Sequence, residues 1–94
     1  MIKPEVRELL NLIPFGHENA IHQAEVASLL NVSHMTVKAL VKEARLNFIP
    51  ILSDSHGYWL SDVKQEIELW SATMTRQAMS TLIVAQCLEY TTLH

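Results

Sequence analysis

The side chains with chemical capacity in this chain are few, and their spacing sorts them. Five histidines and one cysteine are the soft ligands and nucleophiles. His17 and His22 stand five apart across a stretch that reads as loop and short strand, His34 and His56 fall on separate elements, and Cys87 has no second cysteine to join it. Structural zinc takes four convergent ligands, so the histidines read as surface or capping residues, and no metal site is expected. Cys87 sits in apolar surroundings without a basic group, which disfavours the thiolate and hence a nucleophilic role. No acids are paired in a pocket-forming pattern, and two glycines do not make a phosphate-cradling loop. Neither a hydrolase nor a transferase is expected, and neither a cofactor nor a small-molecule substrate. What remains is a cationic set, Lys38, Lys42 and Arg45, with Glu43 the only acid among them.

Elements must position that set. Pro4 suits the first turn of a helix, and Val6, Leu9, Leu10 and Ile13 recur at helical spacing until Pro14 and Gly16 stop the pattern, giving a first helix from about Pro4 to Leu12. Phe15 to Asn19 reads as a loop, and Ala20-Ile21 as a very short strand. A second helix is expected from Gln23 to Leu30, with His22 as N-cap, Glu25 completing a capping box, and Val26, Leu29 and Leu30 on its apolar face. Asn31 tolerates left-handed backbone angles. Ser33 is a strong N-cap for a third helix from His34 to about Leu46, whose inward stripe is Val37, Leu40, Val41 and Ala44. Phe48 to Leu52 and Tyr58 to Leu60 are β-prone runs around the polar loop Ser53 to Gly57, a hairpin signal in which Pro50 makes its strand an edge or irregular one. Ser61 reads as the N-cap of a last helix from Asp62 to about Tyr90, where no Pro or Gly intervenes. There Val63, Ile67, Trp70, Met74, Gln77, Thr81, Val84 and Leu88 alternate in steps of four and three, flanked by Ala78, Leu82 and Ala85.

Composition bounds these readings. Ninety-four residues, 49% apolar and 18% charged, describe a folded, core-forming chain and not a disordered tail. No run of 18 apolar residues occurs, so no membrane-spanning segment is expected. The single cysteine and the lack of a signal-peptide layout at Met1-Ile2-Lys3-Pro4-Glu5 fit a cytoplasmic setting. The net charge of −3 argues against coating nucleic acid non-specifically, but it is unevenly spread. Met1 to Leu52 carries five basic and five acidic residues, Ser53 to His94 two and five, and the third helix is net positive by two.

The arrangement of Val26, Ala27, Leu30, Asn31, Val32, Ser33, Val37 and Leu40 looks like a helix-turn-helix, with Asn31 in place of the usual turn glycine. With the hairpin added, the order helix, short strand, helix, helix, strand, loop, strand resembles the winged helix-turn-helix domain found at the start of the biotin operon repressor and in many small bacterial and phage regulators. The segment Gly57-Tyr58-Trp59-Leu60 adds to the likeness, which covers about Val6 to Leu60. It implies a mainly α fold: a winged helix-turn-helix (three helices plus a small β-hairpin wing) over residues 1–60, followed by a long C-terminal dimerisation helix over 61–94.

The resemblance also implies duplex DNA as partner, with the third helix leading into the major groove. Carried over to this chain, Ser33, His34, Met35, Lys38 and Lys42 face outward, with Thr36 near phosphate and Arg45 in the helix's last turn. Lys38 reaches a guanine edge, Lys42 a phosphate, and Met35 a thymine methyl group. The wing tip departs from the family pattern, having Asp54 and no Lys or Arg, which limits wing contact to Ser53, Ser55 and His56. So few phosphate contacts per chain make a second copy a requirement. Val63, Ile67, Trp70, Met74, Leu82, Val84 and Leu88 are the expected homodimer interface. The expected role is a small transcription regulator of phage or mobile-element type. The rival is a winged-helix protein-interaction module, a replication accessory factor or inhibitor, which the acidic balance and the lack of Lys or Arg in the wing favour.

Overall fold

The computed structural model describes residues 3–93, with side chains as far as residue 90. It divides into two compact units, the first ending at Lys64 and the second beginning at Gln65. The first contains α1 (Pro4–Leu12), a 3-10 turn (His17–Asn19), α2 (Gln23–Leu30), α3 (His34–Leu46), and the antiparallel hairpin of β1 (Ile51–Asp54) and β2 (Gly57–Leu60). The second is the bulk of α4 (Lys64–Leu93). The chain is thus mainly helical, with one small hairpin and a long C-terminal helix. Among the described residues no helix is long and apolar enough to cross a membrane.

Three helices and one face of the hairpin share a core. Val6 and Leu9 of α1, Val26 and Ala27 of α2, Val37, Val41 and Ala44 of α3, and Ile51 and Tyr58 of the hairpin are all buried, with Ile13 beside them. Leu40 and Leu30 are only partly buried, and Leu29 is exposed, so the apolar face expected for α2 narrows to Val26 and Ala27 with Leu30 at its margin. α2 is only eight residues long, and two turns offer a narrow inward strip.

Local signals explain the element ends. Pro4 occupies the first turn of α1. Asn31 takes left-handed angles (φ 57°, ψ 48°), and its N–H and that of Val32 bond back to Ser28 O and Ala27 O, closing α2 in a Schellman motif. Ser33 Oγ accepts the Thr36 N–H at 3.1 Å and so caps α3. The capping box expected for α2 does not form, because the His22 side chain makes no cap bond. Instead Gln23 Nε2 donates to His34 O at 3.1 Å, tying the starts of α2 and α3 together.

Two expectations shift. The first strand begins at Ile51, not Phe48, and runs on to Asp54, leaving Ser55 and His56 as the turn. The reason is the end of α3: Phe48 N–H bonds to Arg45 O and Ile49 N–H to Ala44 O, a second Schellman motif that puts Phe48 at φ 64°. A bulky residue is a genuine outlier there, and this one is 94% exposed, so its ring gains no core packing in return. Phe48→Gly is therefore expected to stabilise the chain by about 1 kcal/mol, read as a raised midpoint in urea unfolding; an unchanged or lowered midpoint would mean the ring contributes to the fold. The last helix begins at Lys64, not Asp62. Ser61 is buried, its N–H bonds to Pro50 O, and its Oγ accepts the Val63 N–H at 3.2 Å, contacts that leave residues 61–63 between β2 and the helix.

Candidate nucleic-acid interface

At 100° per residue, α3 buries Val37, Val41 and Ala44 and turns Met35, Lys38, Ala39, Lys42 and Leu46 outward. Met35 is 81% exposed. Ser33, His34 and Thr36 are also exposed, at the helix start. Ser33 and Thr36 hydroxyls lie 3.0 Å apart as part of the cap, so each retains only part of its bonding capacity for a partner. Glu43, the acid of this helix, is engaged by Lys3 Nζ at 3.1 Å on another side. Lys38 and Lys42 make no ion pair among the described residues, and the outward face is cationic with an apolar margin. Ala39 and Leu46 were not singled out from the sequence, although they follow from the helical angle once Lys38 and Lys42 are placed.

Arg45 is directed elsewhere. Its Nε donates to Ile51 O at 2.8 Å and its Nη2 to Ser53 Oγ at 3.2 Å, so the guanidinium is half-buried between α3 and β1. Burial lowers its pKa, and the charge of nearby Tyr58 partly opposes that shift; the same burial raises the Tyr58 pKa. Arg45 and Ser53 are thus a staple between helix and hairpin, whereas Ser55 and His56 stand exposed in the turn.

The hairpin is fixed to the preceding loop by backbone pairing. Ile21 N–H donates to Tyr58 O at 2.9 Å and Tyr58 N–H to Ile21 O at 2.8 Å, which realises the short strand expected at Ala20-Ile21 as a single bridge. Gly16 N–H also reaches Leu60 O at 3.1 Å. Gly57 makes the approach possible: at φ 120°, a Cβ there would lie 2.2 Å from Ile21 O.

Strand alternation puts Leu52, Asp54 and Trp59 on the face opposite Ile51 and Tyr58, with Leu52 opposite Trp59 and Asp54 opposite Gly57; Leu52 and Trp59 are buried there while Asp54 is exposed. The His17 ring packs edge-on to Trp59 with centroids 4.5 Å apart, and this carries its Nε2–H to Asp54 Oδ2 at 2.6 Å. His56 N–H donates to Asp54 Oδ1 at 2.7 Å, and His56 Nδ1 lies 3.4 Å from the same oxygen. Partial desolvation pushes the Asp54 carboxyl up, but these hydrogen bonds and the charges of the two imidazoles together outweigh it and hold the carboxyl below its ordinary range. The sequence reading kept the histidines apart. A separation of 37 residues between His17 and Asp54 leaves no periodic signal for their meeting.

The second unit, taken by itself, is one helix whose large apolar side chains are outside. Met74, Leu82, Val84 and Leu88 of the expected interface are exposed, and Ile67 and Trp70 are half-buried. Val63 precedes α4 and so falls out of the helical stripe. Leu69, Met79, Ile83 and Tyr90 are exposed as well and lie off that stripe. Met74, Gln77, Ala78, Thr81, Leu82 and Ala85 line a shallow groove along the helix, open where the side chains are small.

Comparison of the chain with family models, with curated proteins and with solved structures gives no match in any of the three.

Proposed function

We propose that residues up to Leu60 form a winged helix-turn-helix module that binds duplex DNA through the outward face of α3, and that α4 joins two copies. The observation that carries the reading is the exposed face of Met35, Lys38, Ala39 and Lys42 on a helix entered through the Ser33 cap. Lysines supply phosphate and guanine contacts, and the small Ala39 between them lets the helix backbone come close to a groove floor. The chain order supports the reading, as does the single Ile21–Tyr58 bridge, which sets the short segment before α2 beside the two-stranded hairpin. Transcription regulation is the role this chemistry suits. Selection of bound oligonucleotides from a random duplex pool tests it: an enriched inverted repeat is expected, and a pool that stays random would remove the reading.

Few cations per chain make pairing of copies part of the proposal. α4, at 30 residues, is about 45 Å long. A helix that is apolar on more than one side is ordinarily covered. Sedimentation of the full chain is expected to give a dimer or tetramer, the off-stripe Leu69, Met79, Ile83 and Tyr90 favouring more than two helices in the assembly. A chain ending at residue 69 is expected to be monomeric, and a stable dimer of that shorter chain would place the interface elsewhere.

A second reading, a module that docks on protein, is favoured by one observation: Leu46 and the strained Phe48 are both exposed at the end of α3, and backbone strain clusters at functional sites.

A further inference from the structure

His17, Asp54 and His56 are far apart in the chain and exposed, yet their ligating atoms all lie within 4.8 Å of one another. We propose that these three side chains form a site for one divalent transition-metal ion of the zinc class. Two imidazole nitrogens and one carboxylate oxygen are the donor set such ions take, with a further position left to solvent or an outside ligand. Hard cations such as magnesium and calcium prefer all-oxygen shells and are excluded by the same donors.

The geometry needs little adjustment. Ligands bonded to one zinc ion at about 2.0–2.2 Å stand about 3.5 Å apart. His17 Nε2, 2.6 Å from Asp54 Oδ2, must withdraw by about 1 Å; His56 Nδ1 lies 3.4 Å from the other carboxylate oxygen, Oδ1, and the three residues' ligating atoms are all within 4.8 Å of one another. The imidazole centroids are 5.0 Å apart, with the rings edge to face. The supports are in place before any ion arrives. Trp59 backs the His17 ring. The His56 backbone N–H orients Asp54 through Oδ1, which leaves Oδ2 for the ion, as outer hydrogen bonds do in metal sites. The Ile21–Tyr58 pairing holds the hairpin against the segment that carries His17. To ligate through Nε2, the His17 ring must carry its proton on Nδ1, so its hydrogen bond to Asp54 Oδ2 is exchanged for the bond to the ion. A bound divalent ion adds positive charge to the hairpin tip beside Asp54.

Calorimetric titration of the full chain with zinc chloride tests this, with cobalt(II) absorption as a second readout of the coordination sphere. One ion per chain at micromolar affinity is expected. His56→Ala and Asp54→Asn are each expected to weaken binding at least tenfold. His56 is mostly solvent-exposed, so His56→Ala should keep the metal-free unfolding curve. The doubly substituted chain His22→Ala/His34→Ala and the variant Cys87→Ser are expected to bind as wild type, and magnesium not to bind. Absence of saturable zinc binding below millimolar concentration would overturn the proposal, and so would undiminished binding by His56→Ala.

Discussion

Gly57→Ala is expected to cost the first unit on the order of 3 kcal/mol. The added methyl group would sit 2.2 Å from Ile21 O, 2.5 Å from Ile21 C and 2.9 Å from His22 N, all of them backbone atoms that no rotamer change can move. An L side chain at φ 120° adds strain of its own. Relief requires the hairpin to leave Ile21, which breaks the two hydrogen bonds exchanged with Tyr58, each contributing about 1 kcal/mol net. Equilibrium urea unfolding measures the loss as a lowered midpoint at unchanged slope. A variant within 1 kcal/mol of wild type would show that the hairpin reseats without that pairing. The same substitution bears on the cluster at the tip, because Asp54 faces Gly57 across the ladder.

The second large effect concerns binding. Lys38→Ala combined with Lys42→Ala is expected to weaken duplex binding on the order of 100-fold or more and to flatten its salt dependence. Each phosphate neutralised adds about 0.9 to the slope of log K against log salt, so two copies, each losing one or two contacts, lower the slope by about 2 to 4. Both lysines are exposed and outside the core, so stability should change by no more than about 0.5 kcal/mol. Affinity measured across a salt series separates the cases. A double variant with wild-type slope would take both residues out of the interface.

A feature of this chain is legible in the sequence where its signal is local. α1, α2 and α3 have the bounds their punctuation predicts, because Pro4, Asn31 and Ser33 each act on the backbone within a few residues. The outward face of α3 follows from its buried stripe by helical angle alone. Other features depend on partners remote in the chain. Arg45 reads as one more cation until Ile51 O and Ser53 Oγ come within reach. His17 reads as a loop residue until Trp59 and Asp54 lie beside it. Ser61 has the chemistry of an N-cap, but its N–H is taken by Pro50 O and its hydroxyl by Val63. In α4 the repeat of apolar residues was legible, whereas the exposed Leu69, Met79, Ile83 and Tyr90 outside it came into view only on the complete helix.

The central claim is that the outward face of α3 meets duplex DNA, and backbone amide shifts during titration with a duplex at low salt test it most directly. The account predicts the largest changes at Met35, Lys38, Ala39 and Lys42, with α1 little affected. Changes centred on α1 or α4, or none at a saturating concentration of duplex, would contradict it.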